Sequence, residues 1–174
     1  LYNDLVVVFW FYKELDLCLE RIKHFKQFNP NLTIYGLYGG VDIDESLLED
    51  IRQEVKHIYI YKEKKSSRWK WLNGDQMLVD WFRNTGVNFE WQKVFILQWD
   101  IVMFKPLDYF IHGIEKDQFA LSSFRNIKHV QDWWPHYEPD KISEFELYLK
   151  ENIKFNGDLS CCLFCLCIAS KRIF

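Results

Sequence analysis

Residues Val94 to Leu107 read VFILQWDIVMFKPL. So continuous a run of Val, Phe, Ile and Leu reads as a strand buried on both faces, as in the middle of a parallel or mixed α/β sheet. The stretch carries one carboxylate, Asp100. An ionised carboxylate inside such a strand is costly unless it is paired or holds a metal, so Asp100 is expected where the strand leaves the sheet. In open α/β sheets ligands bind at the carboxyl ends of the strands, which makes Asp100 the first candidate functional residue.

Upstream, LVVVFWF (Leu5 to Phe11) reads as a buried first strand. Leu15, Cys18, Leu19, Ile22 and Phe25 follow at helical spacing, and Asn29-Pro30-Asn31 ends that helix. LTIYGLYGG (Leu32 to Gly40) is a second strand running into a paired-glycine turn. Asp42 with Glu45, and Ser46 with Glu49, form two overlapping capping boxes ahead of a second helix, and HIYIY (His57 to Tyr61) is a third strand. The order βαβαβ implies right-handed crossovers and a largely parallel sheet.

KEKKSSRWKW (Lys62 to Trp71) is a basic loop with interleaved tryptophans. It reads either as a solvated surface loop or as an anion site. In the second case Arg68 and Lys70 meet phosphate oxygens while Trp69 or Trp71 lies against a ring. Asn73, with Gln76 three residues on, caps a helix whose apolar face is Met77, Leu78, Trp81 and Phe82. Asp75 in its first turn is explained by the helix dipole without any ligand. Beyond the central strand, Lys105-Pro106-Leu107 opens a short helix or turn, and QFALSSF (Gln118 to Phe124) is a strand. Arg125 to Asp140, with Trp133-Trp134-Pro135-His136, reads as a long loop, a helix spans Ile142 to Lys150, and Leu159 to Ala169 is a last buried strand.

The chain has 174 residues, 49% of them hydrophobic, enough for one good core and too few for two ordinary domains. A single domain is expected, lacking C-terminal segments of a longer chain. Its formal charge of −3 comes from 22 basic and 25 acidic residues that are well mixed, which gives no general reason to bind nucleic acid. The longest apolar run, Cys161 to Ala169, falls short of the roughly 20 residues that span a bilayer. Cys161, Cys162, Cys165 and Cys167 sit on alternating faces of one strand rather than in two turn-held pairs, so they read as core and not as a zinc site. With no framework of spaced pairs, a reducing, cytoplasmic location is expected; the alternative is a lumenal or membrane-associated protein held through a segment absent here.

This order of elements, with an apolar strand ending in x-x-Asp and followed by a hydrophobic segment and Pro-Leu, resembles the GT-A fold of nucleotide-sugar-dependent glycosyltransferases. The resemblance implies a Rossmann-like α/β domain with a mostly parallel central sheet and helices on both faces. It also implies a UDP- or GDP-sugar donor, a glycan or other acceptor, and Mn2+ or Mg2+ held at an Asp-x-Asp motif. Gln98-Trp99-Asp100 falls at that motif, so Asp100 inherits the metal-binding role. Gln98 departs from the pattern, because an amide oxygen is a weaker ligand than a carboxylate for a hard cation. Asp75 resembles an acid that contacts the donor, Phe11 leads toward the base, and Arg68 and Lys70 supplement the charge on the diphosphate. Ala169 to Arg172 resembles the strand end before the acceptor-side helix. Trp133, Trp134 and His136 are candidates for an acceptor platform, and no catalytic base is assignable. Two other readings stay open: an inactive GT-A-like module that binds a nucleotide or glycan, and a plain α/β interaction domain in which Asp100 is merely paired to Lys105 or another base.

Overall fold

The computed structural model describes residues 4–40, 44–63, 65–115, 118, 120–129, 138–157 and 159–171. The chain divides into two compact units, Leu1–Ala120 with Phe164–Phe174, and Leu121–Leu163.

The first unit is an α/β layer structure. Strands β1 (Leu5–Phe11), β2 (Thr33–Tyr38), β3 (His57–Ile60) and β4 (Lys93–Gln98) run parallel in the order β3-β2-β1-β4. The end of β6 (Ser160–Ser170) lies antiparallel beside β4, with Leu166 to Ser170 opposite Leu97 to Lys93. All seven residues of β1 are buried, as expected of a strand with apolar groups on both faces. Successive side chains alternate. Leu5, Val7, Phe9 and Phe11 join one core with α1 (Leu15–Phe28) and α2 (Glu45–Glu54), through Cys18, Ile22, Phe25, Leu48 and Ile51. Val6, Val8 and Trp10 face the other way, toward α4 (Gly74–Asn84), where a Cβ on Gly74 would overlap the Trp10 ring. Helices therefore cover both faces of a mostly parallel sheet.

Local chemistry differs from expectation in three places. Helix α2 is capped by Asp44, whose carboxylate accepts from Ser46 N (3.1 Å) and Leu47 N (3.2 Å), so the Ser46 box does not form, and Asp42 lies outside the described residues. The basic run is not all loop: Ser66 accepts from Trp69 N at 3.2 Å and starts α3 (Ser67–Leu72). Asn73 makes no side-chain cap on α4; its amide instead donates to Trp69 O at 2.8 Å, closing α3, and accepts from Gln76 Nε2 at 3.3 Å.

Asn29 does more than stop α1. It is buried, its Nδ2 donates to Phe25 O (3.0 Å), and its Oδ1 accepts from Leu107 N (2.7 Å), which ties the end of α1 to the segment entering α5 (Asp108–Ile111). Asn29→Ala leaves the buried Leu107 amide without that acceptor, and we expect a loss of about 3 kcal/mol in urea unfolding. A loss below about 1 kcal/mol would show that the tether is dispensable. Cys18 is buried and unpaired by any disulfide, and burial, with Asp16 and Glu14 nearby, pushes its thiol up to about 12.

The second unit holds β5 (Ala120–Asn126), a 3-10 turn (Ile127–His129), α6 (Pro139–Tyr148) and a single π turn (Leu149–Ile153). Ile127 N donates to Leu159 O at 3.1 Å. The π turn extends α6 beyond the expected end at Lys150 and stops at Lys154, which is left-handed at φ 58°.

Candidate functional site

The strand order β3-β2-β1-β4 means that the chain builds outward from β1 through β2 to β3, then returns to lay β4 on the other side of β1. Crossovers leave in opposite directions on either side of the β1/β4 pair. This is the switch point at which open α/β sheets leave a crevice beyond the strands' carboxyl ends. Tyr12 and Lys13 follow β1 there, and Trp99 and Asp100 follow β4. The Tyr12 and Trp99 rings meet edge to face at 6.1 Å, and Lys13 Nζ stands 4.9 Å from the Trp99 ring centre. The next residue, Glu14, takes a left-handed conformation (φ 52°, ψ 55°) in the first βα turn, a strained choice for a residue other than glycine.

Asp100 lies in the turn that ends β4, where Ile101 N donates to Gln98 O at 3.0 Å. Its carboxylate is exposed, and among the described residues it has no hydrogen-bond or ion-pair partner. Lys105 is engaged elsewhere, with its Nζ 3.9 Å over the Tyr109 ring, which removes the pairing of Asp100 with Lys105. Gln98 behaves differently: it is 4% exposed, beside its register partner Trp10, and among the described residues its Nε2 has no acceptor. Trp10 Nε1 and Trp99 Nε1 are likewise buried donors without acceptors among the described residues. Both strands thus end in orphaned N–H groups, and such groups in a folded protein call for an explanation.

Phe11 is not in the crevice. It is fully buried between Phe9 (ring centres 5.6 Å apart) and Tyr38 (5.1 Å), because it shares the face of Leu5, Val7 and Phe9. The positions that β1 presents beyond its end are Tyr12 and Lys13. Lys70 is also not on a surface loop. It is 1% exposed in α3, its Nζ donates to Gly40 O at 3.2 Å and lies 5.8 Å from the Tyr61 ring centre, and burial lowers its pKa. Arg68 is exposed, so α3 turns the two cations to different surroundings. Trp69 stacks on Tyr61 within the protein (6.1 Å, 14° between planes), and Trp71's ring lies outside the described side chains. Trp133, Trp134 and His136 lie outside the described residues.

Asp75 is exposed in the first turn of α4 and opens onto a separate cleft. That cleft is lined by Tyr61 and Glu63 from the end of β3 and by Asp75, Gln76, Asp80 and Arg83 from α4. Asp100 is not among the residues that line this cleft. Within the cleft Asp80 is fixed from two sides: Tyr59 OH donates to Oδ2 at 2.5 Å and Asn84 Nδ2 to Oδ1 at 2.9 Å. Burial and the neighbouring Asp80 push the Tyr59 hydroxyl pKa well up. The sequence offers no motif for Tyr12, Lys13, Trp99 or the Tyr59–Asp80 pair; the first three emerge only when the residues immediately after each strand at the switch point are considered together.

No family model matches the chain, and no curated protein matches it. Among solved structures it is similar to a candidate nucleotide-diphospho-sugar transferase from Desulfovibrio desulfuricans G20, with a TM-score of 0.37 and 12% identity over 68% of this chain. The chain spans 57% of that structure's length. A likeness this distant transfers neither activity nor site, so function has to be read from the chain's own residues. No helix among the described residues is long and apolar enough to cross a membrane.

Proposed function

We propose that the β1/β4 crevice binds a UDP- or GDP-sugar and that the chain is the donor-binding domain of a GT-A-like glycosyltransferase, moving a hexosyl group to a glycan or other acceptor. One observation carries the reading: an exposed carboxylate without a partner among the described residues, Asp100, stands at the carboxyl end of the central strand beside the switch point.

The residues fit a cation shared with substrate rather than a protein-built cage. Among the described residues no three His, Cys, Asp or Glu side chains group around a metal site. Mg2+ is ordinarily held by one or two carboxylates plus substrate phosphates, and Asp100 supplies one, with Gln98 turned inward. Mg2+ or Mn2+ bound there would neutralise the departing diphosphate as the bond from the anomeric carbon to the phosphate oxygen breaks. Lys13 adds a fixed positive charge at the same rim, and the Tyr12 and Trp99 rings offer a flat wall to a base or sugar. Trp133, Trp134 and His136 are assigned to the acceptor side. Thermal unfolding with nucleoside diphosphates and their sugars, with and without Mn2+, tests the donor site, and release of nucleoside diphosphate with an acceptor mixture tests turnover.

Lys70 supplies a further test. A buried ammonium with one carbonyl as its hydrogen-bond acceptor and no carboxylate partner among the described residues is a stability cost, so Lys70→Met should stabilise the fold by about 1–3 kcal/mol and raise the melting midpoint. Burial lowers the pKa, so the unfolded chain holds this proton more tightly. The cost is therefore full below the folded pKa and fades as pH rises toward 10.5, and the Met variant's advantage should fade with it. If Lys70 also serves the diphosphate, nucleotide affinity falls about tenfold in the same variant. A lower midpoint with unchanged nucleotide binding would make Lys70 purely structural.

Gln98 favours a second reading, a binding module without turnover, since it replaces the first acid of the motif and its amide is buried. Metal-dependent nucleotide binding without release of nucleoside diphosphate would select it.

A further inference from the structure

We infer that the cleft at the end of β3 is a second ligand site, built for a neutral or amino sugar. Its volume of about 330 Å3 is at the small end for ligand sites, room for a single ring rather than a nucleotide sugar. Sugar hydroxyls both donate and accept, and planar carboxylates, amides and guanidinium groups meet them in pairs. The cleft presents all three kinds, with Tyr61 and Val79 as its less polar wall.

Two of these groups are held in place before any ligand arrives. Asp80 is pinned by Tyr59 and Asn84, and the Gln76 amide is pinned by Asn73. Two others are uncommitted: among the described residues neither Asp75 nor Arg83 has a hydrogen-bond or ion-pair partner, although they share one cleft. Preorganised groups beside uncommitted ones give directional hydrogen bonds at low ordering cost. The charge balance sets the class of ligand. Glu63, Asp75 and Asp80 line the cleft with Arg83, and although Lys65 offsets Glu63 at 3.6 Å the balance stays negative, which repels uronic acids, sialic acids and phosphates. A bare cation is the obvious rival, but these three carboxylates do not group as a metal-binding set. The sugar site is tested apart from the nucleotide-sugar reading, because none of Tyr12, Lys13, Trp99 and Asp100 lines this cleft.

Saturation-transfer NMR on the whole chain, with galactose, glucosamine and glucuronate each at millimolar concentration, tests it. We expect transfer to the ring protons of galactose or glucosamine and little to glucuronate. Affinity should fall about tenfold in Asp75→Asn and in Arg83→Leu. Both side chains are exposed, so both variants should keep the wild-type melting midpoint; if one does not, Gln76→Ala takes its place. No transfer from any sugar, equal affinity in the variants, preference for glucuronate, or response to Ca2+ or Mn2+ alone would each overturn the site. Nucleoside diphosphate binding is read on the same samples. Its absence with sugar binding intact removes the nucleotide-sugar proposal and leaves this one standing, and the converse result does the reverse.

Discussion

Asp100→Asn is expected to abolish the Mn2+-dependent part of nucleotide binding. A ligand at about 100 times its dissociation constant adds roughly 2.7 kcal/mol to the stability of a folded chain. For a chain of this size that moves the melting midpoint by about 5–11 °C. The substitution keeps the shape of the side chain but removes its charge and turns one acceptor oxygen into a donor NH2, and an amide oxygen is a far weaker partner for a hard cation. We expect affinity in Mn2+ to drop about a hundredfold, so that at the same ligand concentration the stabilisation shrinks to about 0.4 kcal/mol. Asp100 is exposed and without a partner among the described residues, so the midpoint without ligand should move by no more than about 0.5 kcal/mol of stability. Binding and folding are thereby separated in one variant. An undiminished shift in the variant would take Asp100 out of the site, and no shift in the wild type with any nucleotide would sink the transferase reading in favour of an interaction domain.

The second large effect concerns the face of the sheet beneath α4. Trp81 is fully buried, 6.2 Å from the Tyr35 ring centre and 6.0 Å from that of Trp91, and a Cβ on Gly86 would stand 2.8 Å from its ring. Such a layer has little freedom to collapse. Trp81→Ala should cost about 4 kcal/mol in urea unfolding, from the lost burial and the cavity together. Trp81→Phe should cost about half as much, because it opens a smaller cavity and also removes an indole N–H that has no acceptor among the described residues. An alanine variant losing less than about 1 kcal/mol would mean that this face is loosely packed.

Much of this architecture is readable from the chain. Seven consecutive apolar residues set β1, continuous apolar character set β4, and an unsupported carboxylate located its exit from the sheet. The failures have physical causes. Lys70 counts as polar in any periodicity argument, yet its four-carbon stem packs as an apolar group, so α3 was hidden inside a basic run. Phe11 was assigned to the site by its place at the end of β1, although strand parity puts it with Leu5, Val7 and Phe9 in the core and leaves Trp10 beside Gln98 on the other face. The Tyr59–Asp80 bond joins residues from a strand and a helix with α3 between them, and no local pattern reports it.

The pairing of β1 with β4 joins Leu5 to Lys93. During synthesis at about 5–20 residues per second, β1 therefore waits roughly 4–18 s for the strand that covers its second edge. Throughout that interval LVVVFWF, without a charge, a proline or a glycine, presents an open row of backbone donors and acceptors, the kind of segment that stacks with copies of itself. The nascent chain's most vulnerable period is thus set by topology rather than by final stability. A holdase that shields the first eleven residues until β4 emerges would raise the yield of folded protein without touching the native state.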